Sequence, residues 1–248
     1  MTEVLAIVPA RGGSKGLPRK NVAPFMERPL IEWSIEAAVA SRSVTRIVVS
    51  TDDEEIAATG RRAGADTPFL RPAELARDET LDLPVFVHAL EWLAEHESYR
   101  PDLVVHLRPT SPLRPPGLID KGVATIAADP RADSLRAVCL PANNPFKMWL
   151  MDDDSPYMHG LVPTDIPEPY NQPRQALPVA YWQIGVLDVI RPATILNGNS
   201  MTGERILPLI VDSALAVDID DAASLARAEE ACQQFERTNA VRAGAACK

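Results

Sequence analysis

The sequence is punctuated by short, continuous apolar runs, and that feature limits its possible folds more than any other. Val4-Leu-Ala-Ile-Val-Pro9 is the first. A strand that is apolar at every position must be covered on both faces, as in a parallel sheet with helices above and below. Similar runs recur at Arg46–Ser50, Asp102–Leu107, Ser134–Leu140, Ala180–Ile190 and Ile206–Val211. Helical patterns lie between them. In 29–41, Ile31, Ile35 and Ala38 share a face; in 82–97, Leu83, Phe86, Val87, Leu90 and Leu93 do the same. Segments 52–64, 116–128 and 221–237 are helical in period and composition, and Thr51 and Asp52 followed by Glu54 and Glu55 read as a capping box for the first of these three. Alternating strand and helix implies right-handed βαβ units and an α/β fold on a doubly wound, mostly parallel sheet. Ligands of such sheets bind beyond the carboxyl ends of the strands, so the loops after Pro9, Leu107 and Val217 are the places to look.

A chain of 248 residues can bury one large core, and a single domain over 1–248 is expected. Residues 141–178 break the pattern. They are rich in Pro, Asn and Asp, with a short strand-like piece around 148–151, and read as an excursion forming a lid or an oligomer contact. Cys139, Cys232 and Cys247 form no metal-binding spacing and read as free thiols of a reducing cytoplasm. The four histidines share no ligand-like spacing either: His88 and His96 read as helix-face residues and His106 as a strand residue. No signal peptide or membrane-spanning stretch is expected. The 25 Lys+Arg against 34 Asp+Glu give a net charge of −9, which argues against nucleic acid and anionic membranes as partners.

Three segments carry chemistry. Ala10-Arg-Gly-Gly-Ser-Lys-Gly-Leu-Pro-Arg-Lys-Asn21 follows the first strand. Its glycines permit close backbone approach, exposed N–H groups form an anion-binding concavity, and Arg11, Lys15, Arg19 and Lys20 add four cations. Polyphosphate binding or a solvated basic turn both fit. In Leu107-Arg-Pro-Thr-Ser-Pro-Leu-Arg114, Thr110 and Ser111 offer hydroxyls, and Arg108 and Arg114 offer fork-shaped donors for carboxylate or phosphate. A proline-stiffened turn capping the next helix fits equally. In Val217-Asp-Ile-Asp220, alternate residues of an extended segment point the same way, so Asp218 and Asp220 can address one hard cation such as Mg²⁺. Asp220 or Asp221 can instead cap the last helix. Lys147, Arg174 and Gln175 are lesser candidates.

Together these segments resemble the N-acylneuraminate cytidylyltransferases, or CMP-sialic acid synthetases. The matching blocks run in order over almost the whole chain: ARGGSKGLPRKN at 10–21, IVVSTDDEEIA at 47–57, FLRPAELARD at 69–78, LRPTSPLR at 107–114, NPFK at 144–147, QPRQALP at 172–178 and VDIDD at 217–221. The resemblance implies a Rossmann-like sheet of the nucleotide-diphospho-sugar transferase type, and a cytoplasmic homodimer whose 141–178 excursion reaches the partner. It implies a Mg²⁺-dependent reaction of CTP with a 2-keto-3-deoxy sugar acid, giving a CMP-sugar and pyrophosphate. Arg11 and Lys15 would hold the triphosphate and offset charge on the leaving group, and Asp218 and Asp220 would hold the metal. The nucleotide would lie against Ala10, Gly12, Gly13, Ser14, Asn21, Arg71, Thr80 and Asp82. The acid would be received by Arg108, Thr110, Ser111, Pro112, Lys147, Arg174, Gln175 and Gln183.

The chain departs from the family where the acceptor would bind. It carries Arg108 where a Gln usually precedes Pro-Thr-Ser-Pro, and Asp82 where a Ser usually follows the RPAELAxD block. Ile184-Gly185-Val186, preceded by Tyr181-Trp182-Gln183, stands where Asn-Gly-Ala is usual. Arg108 is expected to add positive charge to the acceptor pocket, favouring a legionaminic-type nonulosonic acid or an acid with a further anionic group. Asp82 is expected to bear on nucleobase choice. Cytidylyl transfer to Kdo or another small acid, and a non-catalytic nucleotide-binding regulatory module, are the alternatives.

Overall fold

The computed structural model describes the backbone of residues 2–245 and the side chains of residues 2–234. Cys247 therefore lies outside the described residues; Cys139 and Cys232 are both buried. The elements run β1 (Val4–Pro9), β2 (Pro24–Phe25), β3 (Arg28–Pro29), α1 (Leu30–Val39), β4 (Arg46–Ser50), α2 (Glu54–Arg62), α3 (Asp82–Glu97), β5 (Leu103–His106), α4 (Leu118–Ala128), β6 (Ser134–Cys139), β7 (Trp149–Met151), β8 (Met158–Gly160), β9 (Trp182–Ile190), α5 (Pro192–Leu196), β10 (Ile206–Ile210) and α6 (Ala222–Ala245).

Six strands form the central sheet in the order β10-β6-β9-β5-β1-β4. β1 pairs in parallel with β4 and β5, and β10 with β6. Only β9 runs antiparallel to its neighbours β5 and β6. The order doubles back at β1, between β4 on one side and β5 on the other, so the carboxyl ends of β1 and β5 frame a switch-point crevice.

The apolar runs are buried on both faces because helices cover both. Along β1, Val4, Ala6 and Val8 join one core with Ile31 and Ile35 of α1 and Ile126 of α4, while Leu5 and Ile7 join a second core with Phe86, Leu90 and Leu93 of α3. The fold-class expectation holds. One local expectation does not: the cap of α2 is Asp53, whose carboxylate accepts from Glu55 and Ile56 N–H at 3.0 Å each, rather than Thr51 or Asp52. Asp52 is needed elsewhere, where it accepts from the Gly12 N–H at 2.9 Å and anchors the glycine loop. Asp221 precedes α6 and accepts from the Ser224 N–H at 2.7 Å, which makes it the capping residue of that helix.

Residues 141–178 leave the sheet between β6 and β9. They carry the β7–β8 hairpin and expose Trp149, Met151, Tyr157 and Met158, with Met151 at 83% and Tyr157 at 79%. Among the described residues no helix is long and apolar enough to cross a membrane.

Candidate active site

A cleft of 560 Å³ opens at the carboxyl ends of β1 and β5. It is lined from all three expected loops: Arg11, Ser14, Lys15, Gly16, Lys20 and Asn21 from the first, Arg108, Pro109 and Thr110 from the second, and Asp220 from the third. The turn before α3 closes it with Arg71, Arg77, Asp78, Thr80 and Asp82.

The loops meet because small residues allow it. A β-carbon at Gly16 would stand 2.3 Å from the Asp220 carbonyl oxygen, so only glycine lets the first loop touch the third. Lys20 reinforces that contact, donating to the Ile219 carbonyl at 2.8 Å and the Asp220 carboxylate at 3.1 Å. Asp218 and Asp220 flank the wholly buried Ile219 and are both exposed, which is the alternation expected of an extended segment.

The cations divide by what already holds them. Arg11 pairs with Asp78 at 2.8 Å and donates to the Arg77 carbonyl at 2.7 Å; Lys15 pairs with the other Asp78 oxygen. Lys15 and Arg11 together hold the Asp78 carboxyl below the usual carboxylate range, and Asp78 in turn raises Lys15. Arg71 is buried and gives its donors to the Ser50 hydroxyl, the Ser50 carbonyl and the Leu75 carbonyl; burial pushes it down to about 10, so it stays charged at neutral pH. Asn21 is buried and donates to the Arg11 carbonyl at 2.9 Å, holding the loop rather than leaving its amide free. Two cations counted toward the cluster from sequence are turned elsewhere. Arg19, at φ 58°, pairs with Asp53 and Glu55 at the start of α2. Arg114 donates to the Val186 carbonyl, the Ser34 hydroxyl and the Arg108 carbonyl, and so stitches the second loop to β9 and α1.

Arg108 does not bring an uncompensated charge, contrary to expectation. Its guanidinium donates to Asp188 at 2.8 Å and to Asp82 at 3.3 Å. Asp188 is fully buried on β9, opposite His106 of β5 and Arg136 of β6 in the strand register, and Arg136 stands 3.4 Å from its second oxygen. Two arginines and two carboxylates thus balance. His106, fully buried against Phe86, has Asp82 and Asp188 at 3.9 and 3.8 Å; burial, with help from Arg108, Arg114 and Arg136, holds it well below its ordinary value and neutral. The second loop folds with only part of its expected donors facing the cleft. Thr110 lines it, whereas Ser111 and Pro112 are buried, and a β-carbon at Gly185 would meet the Ser111 hydroxyl at 2.6 Å.

The excursion forms its own cavity of 480 Å³, which brings together Asn143, Asn144, Lys147 and Arg174. Gln175 is exposed beside it, and Gln183 is exposed on β9, accepting from Arg136 at 2.7 Å. Sequence reasoning missed Asp78, Asp188 and Arg136. Asp78 closes the RPAELARD block, and that block was the only signal pointing to it. Among the described residues no group of three or more His, Cys, Asp or Glu side chains is arranged to hold a metal ion. Asp218 and Asp220 offer two hard oxygen donors, a set that suits a cation completing its shell with water and substrate phosphates.

The family model described as cytidylyltransferase matches residues 5–152, which includes β1, β5 and the loops after them. The chain is 30% identical over 220 residues to an N-acylneuraminate cytidylyltransferase of Escherichia coli, covering 89% of this chain and 50% of that protein. It is 43% identical over 110 residues to a pseudaminic acid cytidylyltransferase of Campylobacter jejuni, covering 44% of this chain and 47% of that one. The aligned stretches thus span about half the length of these relatives. In fold it resembles a CMP:2-keto-3-deoxy-manno-octonic acid synthetase complexed with CTP, with a TM-score of 0.68 over 94% of this chain and all of that one, at 16% identity. With the family model covering the glycine loop after β1, the RPAELARD turn and the second cleft loop, the chain belongs to the cytidylyltransferase family.

Proposed function

We propose that this protein transfers the cytidylyl group of CTP to a nonulosonic acid, a 2-keto-3-deoxy sugar acid, releasing pyrophosphate. The observation that carries the reading is the gathering of Arg11, Lys15, Lys20, Arg108, Thr110 and Asp220 from three separate loops around one cleft. The relatives named for N-acylneuraminate and pseudaminic acid support this class of acceptor. The anomeric hydroxyl oxygen attacks the α-phosphorus and its proton passes to solvent water, the bond to the bridging oxygen breaks, and pyrophosphate leaves in line with the electron pair. Arg11 and Lys15 neutralise the charge that grows on the leaving group. The loop of Ala10, Gly12, Gly13 and Ser14 lies along the phosphates and turns the Gly13 N–H toward them, while the N–H groups of Ala10, Gly12 and Ser14 hold the loop through Ser50, Asp52 and the Gly12 carbonyl. Asn21 holds that loop, while Arg71, Thr80 and Asp82 shape the nucleoside end. Asp218 and Asp220 would hold Mg²⁺, which supplies charge neutralisation at the phosphates when bound.

Arg108 and Thr110 face the acceptor, with Ser111 and Pro112 fixing their loop. Because Asp82 and Asp188 already balance Arg108, the site does not call for an acid with a further anionic group, and a legionaminic-type acid stands beside the other nonulosonic acids as acceptor. The exposed apolar face of 149–158 supports a homodimer, in which Lys147 and Arg174 approach the partner's acceptor, while Gln175 and Gln183 are further contacts for the acid. CTP as substrate is in keeping with a cytoplasmic location. Pyrophosphate release with CTP, Mg²⁺ and a panel of nonulosonic acids and Kdo tests the reading. Turnover with Kdo alone would shift the acceptor class, and CTP binding without turnover would favour a regulatory module.

A further inference from the structure

Asp78 occupies the two cations that the triphosphate needs. One carboxylate oxygen takes Arg11 at 2.8 Å and the other takes Lys15, so a single anion spans both. All three side chains line the cleft. The arrangement differs in kind from that of Arg71, whose donors end on fixed backbone and hydroxyl groups of a buried turn. The Asp78 side chain is 34% exposed and that of Lys15 83%, so water screens the pair and either partner can exchange it. A triphosphate carries several charges and many more acceptor oxygens than one carboxylate, so it wins that exchange.

Resting on the proposed cytidylyl transfer, we propose that Asp78 is an internal stand-in for the triphosphate, a competing anion that CTP must displace from Arg11 and Lys15. Without an anion, the like charges of Arg11 and Lys15 face each other; Asp78 keeps them gathered, and Arg11 ties the loop at 11–15 to the 77–78 turn through Asp78 and the Arg77 carbonyl. Entry of CTP then frees that turn. Asp78 sets how readily the site accepts a polyanion and is itself neither a metal ligand nor a reacting group.

Calorimetric titration of CTP, and separately of inorganic triphosphate, into the full chain and into Asp78→Asn tests this. The variant is expected to bind both about two- to fivefold more tightly, the size of a screened ion pair, with the gain shrinking as salt rises. Equal or weaker binding by Asp78→Asn would overturn the proposal, because Asp78 would then position the cations for the phosphates. Asp78→Ser carries the same test if the Asn variant does not fold. Wild-type protein that neither binds CTP nor releases pyrophosphate would sink the proposed function instead. Wild type that turns over CTP beside a variant that gains nothing sinks only this inference.

Discussion

The Arg108 guanidinium and the Asp188 carboxylate form a 2.8 Å ion pair whose acidic member is wholly buried on β9. Asp188 also faces Arg136, so its removal leaves two guanidinium groups without their shared anion. Breaking a buried pair from one side costs about 3–5 kcal/mol. Asp188→Ala is expected to lose stability of that order in urea denaturation and to raise the KM for the sugar acid, since Arg108 loses its anchor. An unchanged denaturation midpoint would contradict the assigned network.

His106 is neutral in the folded protein and titrates normally, near 6.5, once unfolded. Its folded pKa is the lower of the two, so below about pH 6.5 the unfolded chain binds the extra proton. Stability therefore falls as pH drops through that range, by up to about 1.4 kcal/mol per pH unit, and is flat above it as far as this group is concerned. His106→Leu is expected to flatten that slope between pH 6.5 and 5. An identical slope in the variant would assign the effect to other groups.

At Gly16 and Gly185, both beside the cleft loops, a β-carbon would collide with a neighbouring atom. At Gly16 the obstacle is the Asp220 backbone, which cannot rotate away, so Gly16→Ala must part the glycine loop from the Asp218–Asp220 segment at roughly 1–3 kcal/mol of strain. Turnover is expected to fall at least tenfold. At Gly185 the obstacle is the Ser111 hydroxyl and the Arg108 stem, so Gly185→Ala is expected to raise the KM for the acid and leave that for CTP nearly unchanged. Steady-state kinetics with each substrate varied separates the two.

The exposed face of the excursion predicts assembly. Charging it with Met151→Glu and Met158→Glu is expected to convert a species of twice 27.0 kDa into one of 27.0 kDa in multi-angle light scattering. Activity should fall with it if Lys147 and Arg174 act across the interface.

Much of this architecture is written in the pattern of the chain. Val4–Pro9 is apolar at every position because both sheet faces are covered, and the helix period places Phe86 and Leu90 on the buried side of α3. The antiparallel β9 is not legible, because an apolar run does not state its direction. The loops that build the cleft could be named, but not the partners of their charges. Arg19, Arg71 and Arg114 read as ligand donors, yet each is committed to the protein's own oxygens, and those oxygens come from residues up to 80 positions away. Arg108 and Asp82 read as two independent departures, and the structure makes them one ion pair. A sequence counts charges; which of them remain free is settled by folding.

The central claim is tested most directly by pyrophosphate release from CTP and Mg²⁺ with nonulosonic acids, run beside Asp218→Ala and Asp220→Ala. Release with at least one acid, lost in both variants while their unfolding transitions stay intact, is the predicted result. No release with any acid by wild-type protein that binds CTP, or full activity in either variant, would contradict it.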